Sequence, residues 1–180
     1  MPLGASFPRT LAEARRRRPD ALAALYRDLA PAVLGYLRGQ GAAEPEDLTS
    51  DTFVGMVRGL TRFRGDEAAF RSWMFTIAHR RLTDERRRRG RRVIDLVPPD
   101  RFPEVVVSDP QGEVVGAAWA RSALAGLTPD QRTVVLLRVI ADLPVAEVAR
   151  ITGRQEGAVK ALHRRALASL ARTISPEPVS

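Results

Sequence analysis

The chain contains no cysteine, and that single absence removes disulfides, thiolate metal sites and cysteine nucleophiles together. Histidine occurs only at His79 and His163, far apart in sequence and outside any HExxH pattern. Neither a GxxxxGK(S/T) nor a GxGxxG loop is present. With these groups missing, no enzyme, cofactor or metal is expected. No uninterrupted apolar stretch approaches the roughly 20 residues a bilayer span needs, and the start, Met1 to Ser6, lacks a signal-peptide core. A soluble, cytoplasmic protein without a membrane span is the expectation.

Lysine is also scarce, occurring once, at Lys160, so the positive charge is almost entirely arginine. The balance of 29 Lys plus Arg against 21 Asp plus Glu gives a formal net charge of +8. The planar guanidinium fork pairs with phosphate oxygens and stacks on bases, so this balance favours a polyanionic partner. The 180 residues, 44% of them hydrophobic, suffice for a sizeable core in one domain or two small helical ones.

Residues 1–18 carry Pro2, Pro8 and the run Arg15 to Arg18, and read as a flexible basic tail. From Pro19 a helix is signalled by Leu22, Leu25, Leu29, Val33 and Tyr36 at steps of three and four; Pro31 should bend it and Gly39 with Gly41 end it. A second helix starts near Pro45, with Glu46 and Asp47 where the helix dipole favours negative charge. After Gly65 a third helix carries Phe70, Trp73, Met74, Ile77 and Leu82 on one face and becomes steadily more basic. This first domain spans residues 19–92. Residues 93–112 hold Pro98, Pro99, Pro103 and Pro110, which exclude a stable helix and read as a linker. Helical periodicity returns over residues 113–174, with a tail at 175–180. The fold expected is all-α, two small helical domains joined by a Pro-rich linker.

Three constellations carry chemistry. Between Val145 and Leu162, Ala149, Gly153 and Val159 supply the small residue, the turn residue and the apolar anchor of a helix-turn-helix. Its second helix would present Arg154, Gln155, Glu156, Lys160, His163 and Arg164 to base edges and phosphates, Lys160 and Arg164 chiefly to phosphates. An ordinary helical hairpin closed by Gly153 is the alternative. The end of the third helix crowds Arg80, Arg81, Arg86, Arg87, Arg88, Arg89, Arg91 and Arg92 against only Asp84 and Glu85, a density better matched to an anionic partner than to solvent. Of the nearby aromatics, Phe70 and Trp73 fall on the apolar stripe, which leaves Phe63, in the loop before Gly65, as the candidate for stacking on unpaired bases. The acidic segment Glu46 to Asp51 fits either helix capping or docking of a basic protein.

Together these residues resemble the extracytoplasmic-function sigma factors of the sigma-70 family, over about Asp20 to Arg172. Glu46-Asp47-Leu48 with Asp51 and Phe53 is similar to the region 2 helix that docks on RNA polymerase. Phe70 to Ala78 resembles the tryptophan-containing helix that, with its preceding loop, captures the unwound minus-10 strand. Leu127 to Arg132, Glu147-Val148-Ala149 and Gly157 to Lys160 resemble region 4, which reads the minus-35 element. The resemblance implies core RNA polymerase, duplex minus-35 and single-stranded minus-10 promoter DNA, and an anti-sigma protein as partners. It places docking on Glu46, Asp47, Ser50, Asp51 and Phe53; minus-10 contact on Phe63, Arg64, His79, Arg80, Arg86 and Arg87; and minus-35 contact on Arg154, Gln155, Glu156, Lys160, His163 and Arg164. Ser50 stands where the family usually has Gln, His79-Arg80 where Arg-Asn is common, and Ala161-Leu162 where Ser-Arg is frequent. A conventional regulator that binds duplex DNA without polymerase is the rival reading.

Overall fold

The computed structural model describes residues 3–96 and 122–174. A 3₁₀ turn, Gly4–Ser6, leads into α1 (Phe7–Arg15), followed by α2 (Pro19–Gly39), α3 (Pro45–Gly59) and α4 (Glu67–Leu96). A helical turn at residues 122–125 then precedes α5 (Pro129–Val139), α6 (Val145–Thr152) and α7 (Glu156–Ile174). The expected linker lies outside the described residues except at positions 93–96, which continue α4.

The helix starts follow local chemistry. Proline opens α2, α3 and α5, where its missing N–H removes a donor that would have no intrahelical partner. At α5, Thr128 and Gln131 form a reciprocal capping box, each side chain accepting from the other residue's backbone N–H at 3.3 and 3.0 Å. Pro31 is accommodated within α2.

Residues 3–18 do not form the flexible tail expected of residues 1–18: Phe7, Leu11 and Ala14 of α1 are buried, and the Phe7 ring packs on Phe70 at 5.5 Å. The four consecutive arginines follow an apolar stripe, Leu3, Phe7, Leu11 and Ala14, spaced at helical steps. These side chains join Leu25, Leu29, Phe53, Met56, Phe63, Phe70 and Met74 in a core made by α1 to α4.

A second core crosses between the two halves of the chain. Val33, Tyr36, Leu37, Phe75 and Leu82 of α2 and α4 share one apolar cluster with Leu136, Leu137, Leu143, Val148 and Val159. Close approach depends on Gly39, since a Cβ there would lie 2.9 Å from a Leu136 methyl. Within the seam the Gln40 side chain donates to the Thr133 hydroxyl at 3.0 Å, and Arg86 donates to the Gln40 carbonyl at 2.5 Å. At its edge the Ser72 hydroxyl donates to the Glu147 carboxylate, while Arg150 reaches Glu147 at 2.6 Å and Ser72 at 2.9 Å. Two helical units are thus held against each other through a buried face.

Candidate nucleic-acid interface

The helix-turn-helix is built as its three key residues require. Gly153 adopts φ 65° and ψ 30°, a left-handed conformation that glycine takes without steric penalty, and the Arg154 N–H donates to the Ala149 carbonyl across the turn. Val148 and Val159 are fully buried and Ala149 nearly so, which locks α6 against α7. The opposite face of α7 is open: Arg154, Gln155, Glu156, Lys160 and Arg164 are exposed, and His163 is half-buried. Arg154 is held by Asp130 at 2.7 Å. Between Lys160 and Arg164, the small residues Gly157 and Ala161 floor a shallow groove, which lets a surface approach the helix backbone. Ala161, part of the pair that departs from the family's frequent Ser-Arg, is thus a floor residue of this groove.

The loop between α3 and α4 is fixed at both ends. Gly65 takes φ 146°, and the Asp66 carboxylate accepts from the Ala69 N–H at 2.8 Å to cap α4. Phe63 is buried, stacked on Trp73 at 5.1 Å and edge-on to Phe70 at 5.2 Å. The expectation that its ring stacks on bases is therefore corrected. In this fold the ring anchors the loop, because the core beneath it offers two aromatic partners. Arg64 is exposed and folds over the loop, donating to the Thr61 and Phe63 carbonyls at 2.7 Å each.

Along α4 the candidates divide. Arg80 and Arg87 are exposed, the latter beside Asp84 at 3.9 Å. Arg86 is exposed but reaches back to Gln40. His79 is half-buried, its Nδ1 paired with the Tyr36 hydroxyl at 2.8 Å. Burial, with Arg86 nearby, holds the His79 pKa below its ordinary value. His163 is lowered in the same direction by burial and by Arg138. Both imidazoles thus favour the neutral form when folded, so the unfolded chain binds more protons just below pH 6.5. Stability from these sites is full above that value and is lost as pH falls through the folded pKa values. The expected result is a melting temperature that declines between pH 7.5 and 5.5, with the decline flattened in the His79→Gln, His163→Gln double variant, measured by circular dichroism.

On α3, Glu46, Asp47, Ser50 and Asp51 are exposed. Arg38 donates to Glu46 at 2.5 Å and holds that carboxyl below the usual range, while Asp47 and Asp51 face solvent one helical turn apart. Phe53 points the other way, buried against Tyr26 at 4.6 Å, so it supports this face and forms no part of its surface. Its place is taken by Val54, 45% exposed, which continues the Asp47, Ser50, Asp51 stripe by helical spacing. That spacing was the available signal for Val54.

Among the described residues no helix is long and apolar enough to cross a membrane, and no group of three His, Cys, Asp or Glu is placed to hold a metal.

Comparison with known proteins matches the sigma-70 region 2 family over residues 25–92 and the sigma-70 region 4 family over residues 117–170. The chain is 34% identical over 164 residues to the ECF RNA polymerase sigma factor BldN of Streptomyces coelicolor, covering 86% of this chain and 61% of the relative. To the ECF RNA polymerase sigma factor ShbA of Streptomyces griseus it is 31% identical over 143 residues, covering 76% of this chain and 75% of that one. The fold is shared with the sigma factor RpoE of Bartonella quintana, solved in complex with the anti-sigma factor NepR. There the TM-score is 0.70 and the identity 24%, over 87% of this chain and 98% of that one.

Proposed function

The chain belongs to the extracytoplasmic-function branch of the sigma-70 family of RNA polymerase sigma factors, and from that membership we propose how its two helical units divide the work. The exposed acidic stripe of α3 docks on core RNA polymerase. The α3–α4 loop and the basic end of α4 hold the unpaired minus-10 strand, and α7 enters the major groove at the minus-35 element. Bond chemistry belongs to the polymerase; this chain selects the promoter and stabilises its opened form. A captured base offsets the few kcal/mol of local unstacking. An anti-sigma protein is the expected regulator, in line with the complex in which the Bartonella relative was solved.

The observation that carries this reading is the joint placement of an open basic recognition face on α7 and an acidic, partly apolar stripe on α3. Run-off transcription from genomic promoter fragments tests it. Transcripts that appear only when the chain is added to core polymerase support it. Silence with a matched core enzyme and cognate promoters, alongside unaided binding to duplex DNA, would favour a conventional regulator. Within the same assay, Lys160→Ala with Arg164→Ala removes two exposed cations from the groove face. It is expected to weaken duplex promoter binding at least tenfold, reduce the salt dependence by nearly two phosphate contacts, and leave affinity for core polymerase unchanged.

A further inference from the structure

α1 lies outside the segment that matches the region 2 family, which begins at residue 25, yet it touches the α3–α4 loop directly. The Arg15 guanidinium donates to the Phe63 carbonyl at 2.6 Å, and Arg64 donates to the same oxygen at 2.7 Å. Two cations that share one acceptor lie close together, and their mutual repulsion is only partly relieved by a neutral carbonyl. Both line an open cleft of about 490 Å³ between α1 and the loop, together with Phe7, Leu11 and Gly65.

The two acidic residues of that cleft are already engaged. Both Glu67 carboxylate oxygens accept backbone N–H groups, from Leu3 at 2.6 Å and Gly4 at 2.9 Å, and Asp66 caps α4 through Ala69. Neither acid forms an ion pair with Arg15 or Arg64 among the described residues. The cleft therefore presents two neighbouring guanidinium groups that, among the described residues, have no ion pair with its acids.

We propose that this cleft is a phosphate site for the unpaired promoter strand, with Arg15 of α1 and Arg64 of the loop as its two ligands. The anionic, non-bridging oxygens of a phosphodiester set between the guanidiniums would relieve their repulsion, and the forked donors suit that geometry. Pro8, exposed and also lining the cleft, lies where the sugar beside that phosphate would pack. This rests on the reading that the α3–α4 loop holds the minus-10 strand, and it extends the strand-binding surface to a helix outside the matched region.

The test uses the full chain assembled with core polymerase and a fluorescent single-stranded minus-10 oligonucleotide, titrated at several salt concentrations. Arg15→Gln keeps a donor for the Phe63 carbonyl while removing the charge; Arg15→Lys keeps the charge. The proposal expects Arg15→Gln to weaken oligonucleotide binding by about tenfold and to lower the slope of log K against log salt by about 0.35, half the value of one single-strand phosphate contact, since Arg64 still holds the shared phosphate. Arg15→Lys should retain the slope. Arg64→Gln should lower it by a similar amount, which keeps the test available if α1 variants fold poorly. Unchanged slopes in both Gln variants overturn the site, because a role confined to holding the loop would alter affinity without altering the count of displaced counterions. If the unaltered holoenzyme fails to bind the oligonucleotide, the loop's role in strand capture falls and this site with it. Binding by the unaltered protein with slopes indifferent to both arginines removes only the site.

Discussion

Reversing Asp47 and Asp51 to lysine is expected to lower affinity for core RNA polymerase by about a hundredfold, since like charges set against a basic partner cost several kcal/mol. Both carboxylates are exposed and lie one turn apart on α3, so the substitutions place two cations on the docking stripe without entering the core. Leu48, Thr49, Thr52 and Phe53, which hold the helix in place, remain untouched. Helical content should therefore stay near that of the unaltered chain, with only a small fall in melting temperature from placing Lys in the first turn of α3, where the helix dipole favours negative charge. Surface plasmon resonance against immobilised core enzyme measures the effect, and a fall in on-rate that shrinks with added salt would mark it as electrostatic. Unchanged affinity would move the docking face off this stripe. A milder change, Val54→Ala, separates the apolar contribution and should weaken binding severalfold with little salt dependence.

Much of the architecture was legible because it is written locally. The stripe Leu25, Leu29, Val33 and Tyr36 reads as a helix face and is buried as one. Ala149, Gly153 and Val159 specify the helix-turn-helix by backbone demands that few other residues meet, and each takes the role its chemistry indicates. What escaped depends on contacts between distant residues. Phe63 looked available for stacking because it sits in a loop, but three-dimensional packing places Phe70 and Trp73 beneath it. Phe53 followed the acidic stripe in sequence yet faces Tyr26. Arg15 reads as one of four solvated arginines, and only the folded chain brings it to a carbonyl 48 positions away. The seam is the extreme case. Ser72 with Glu147, and Gln40 with Thr133, are separated by 75 and 93 positions, and no local pattern marks either pair.

The seam makes the second large prediction. Gly39→Val is expected to part the two helical units while leaving each one folded. A Cβ at position 39 would meet two Leu136 methyls at 2.9 and 3.0 Å, and Leu136 is itself buried, so it has little room to yield. Relief comes most readily by separating α2 from α5, which also releases the buried bond between Gln40 and Thr133. The core of α1 to α4 does not include position 39, and Leu127, Val135 and Ala166 form a separate cluster within the other unit. Each unit thus retains apolar packing of its own. The lack of native cysteine makes the measurement clean, since cysteines introduced at the exposed positions Ala68 and Ala168 would be the sole labelling sites. Pulsed dipolar spectroscopy should give a narrow label-to-label distance in the unaltered background and a longer, broader distribution with Gly39→Val, at equal helical content. A distribution that stays narrow would mean that the seam adjusts around an added side chain. Because Asp47 and Asp51 are untouched, the variant should bind core polymerase at least as tightly as the unaltered chain, which separates loss of the seam from loss of docking. The physical point is reach: while Val33, Tyr36 and Phe75 share a core with Leu137 and Val148, the loop of one unit and α7 of the other are held at one separation, and the proposed division of work between two promoter elements calls for that shared core to open.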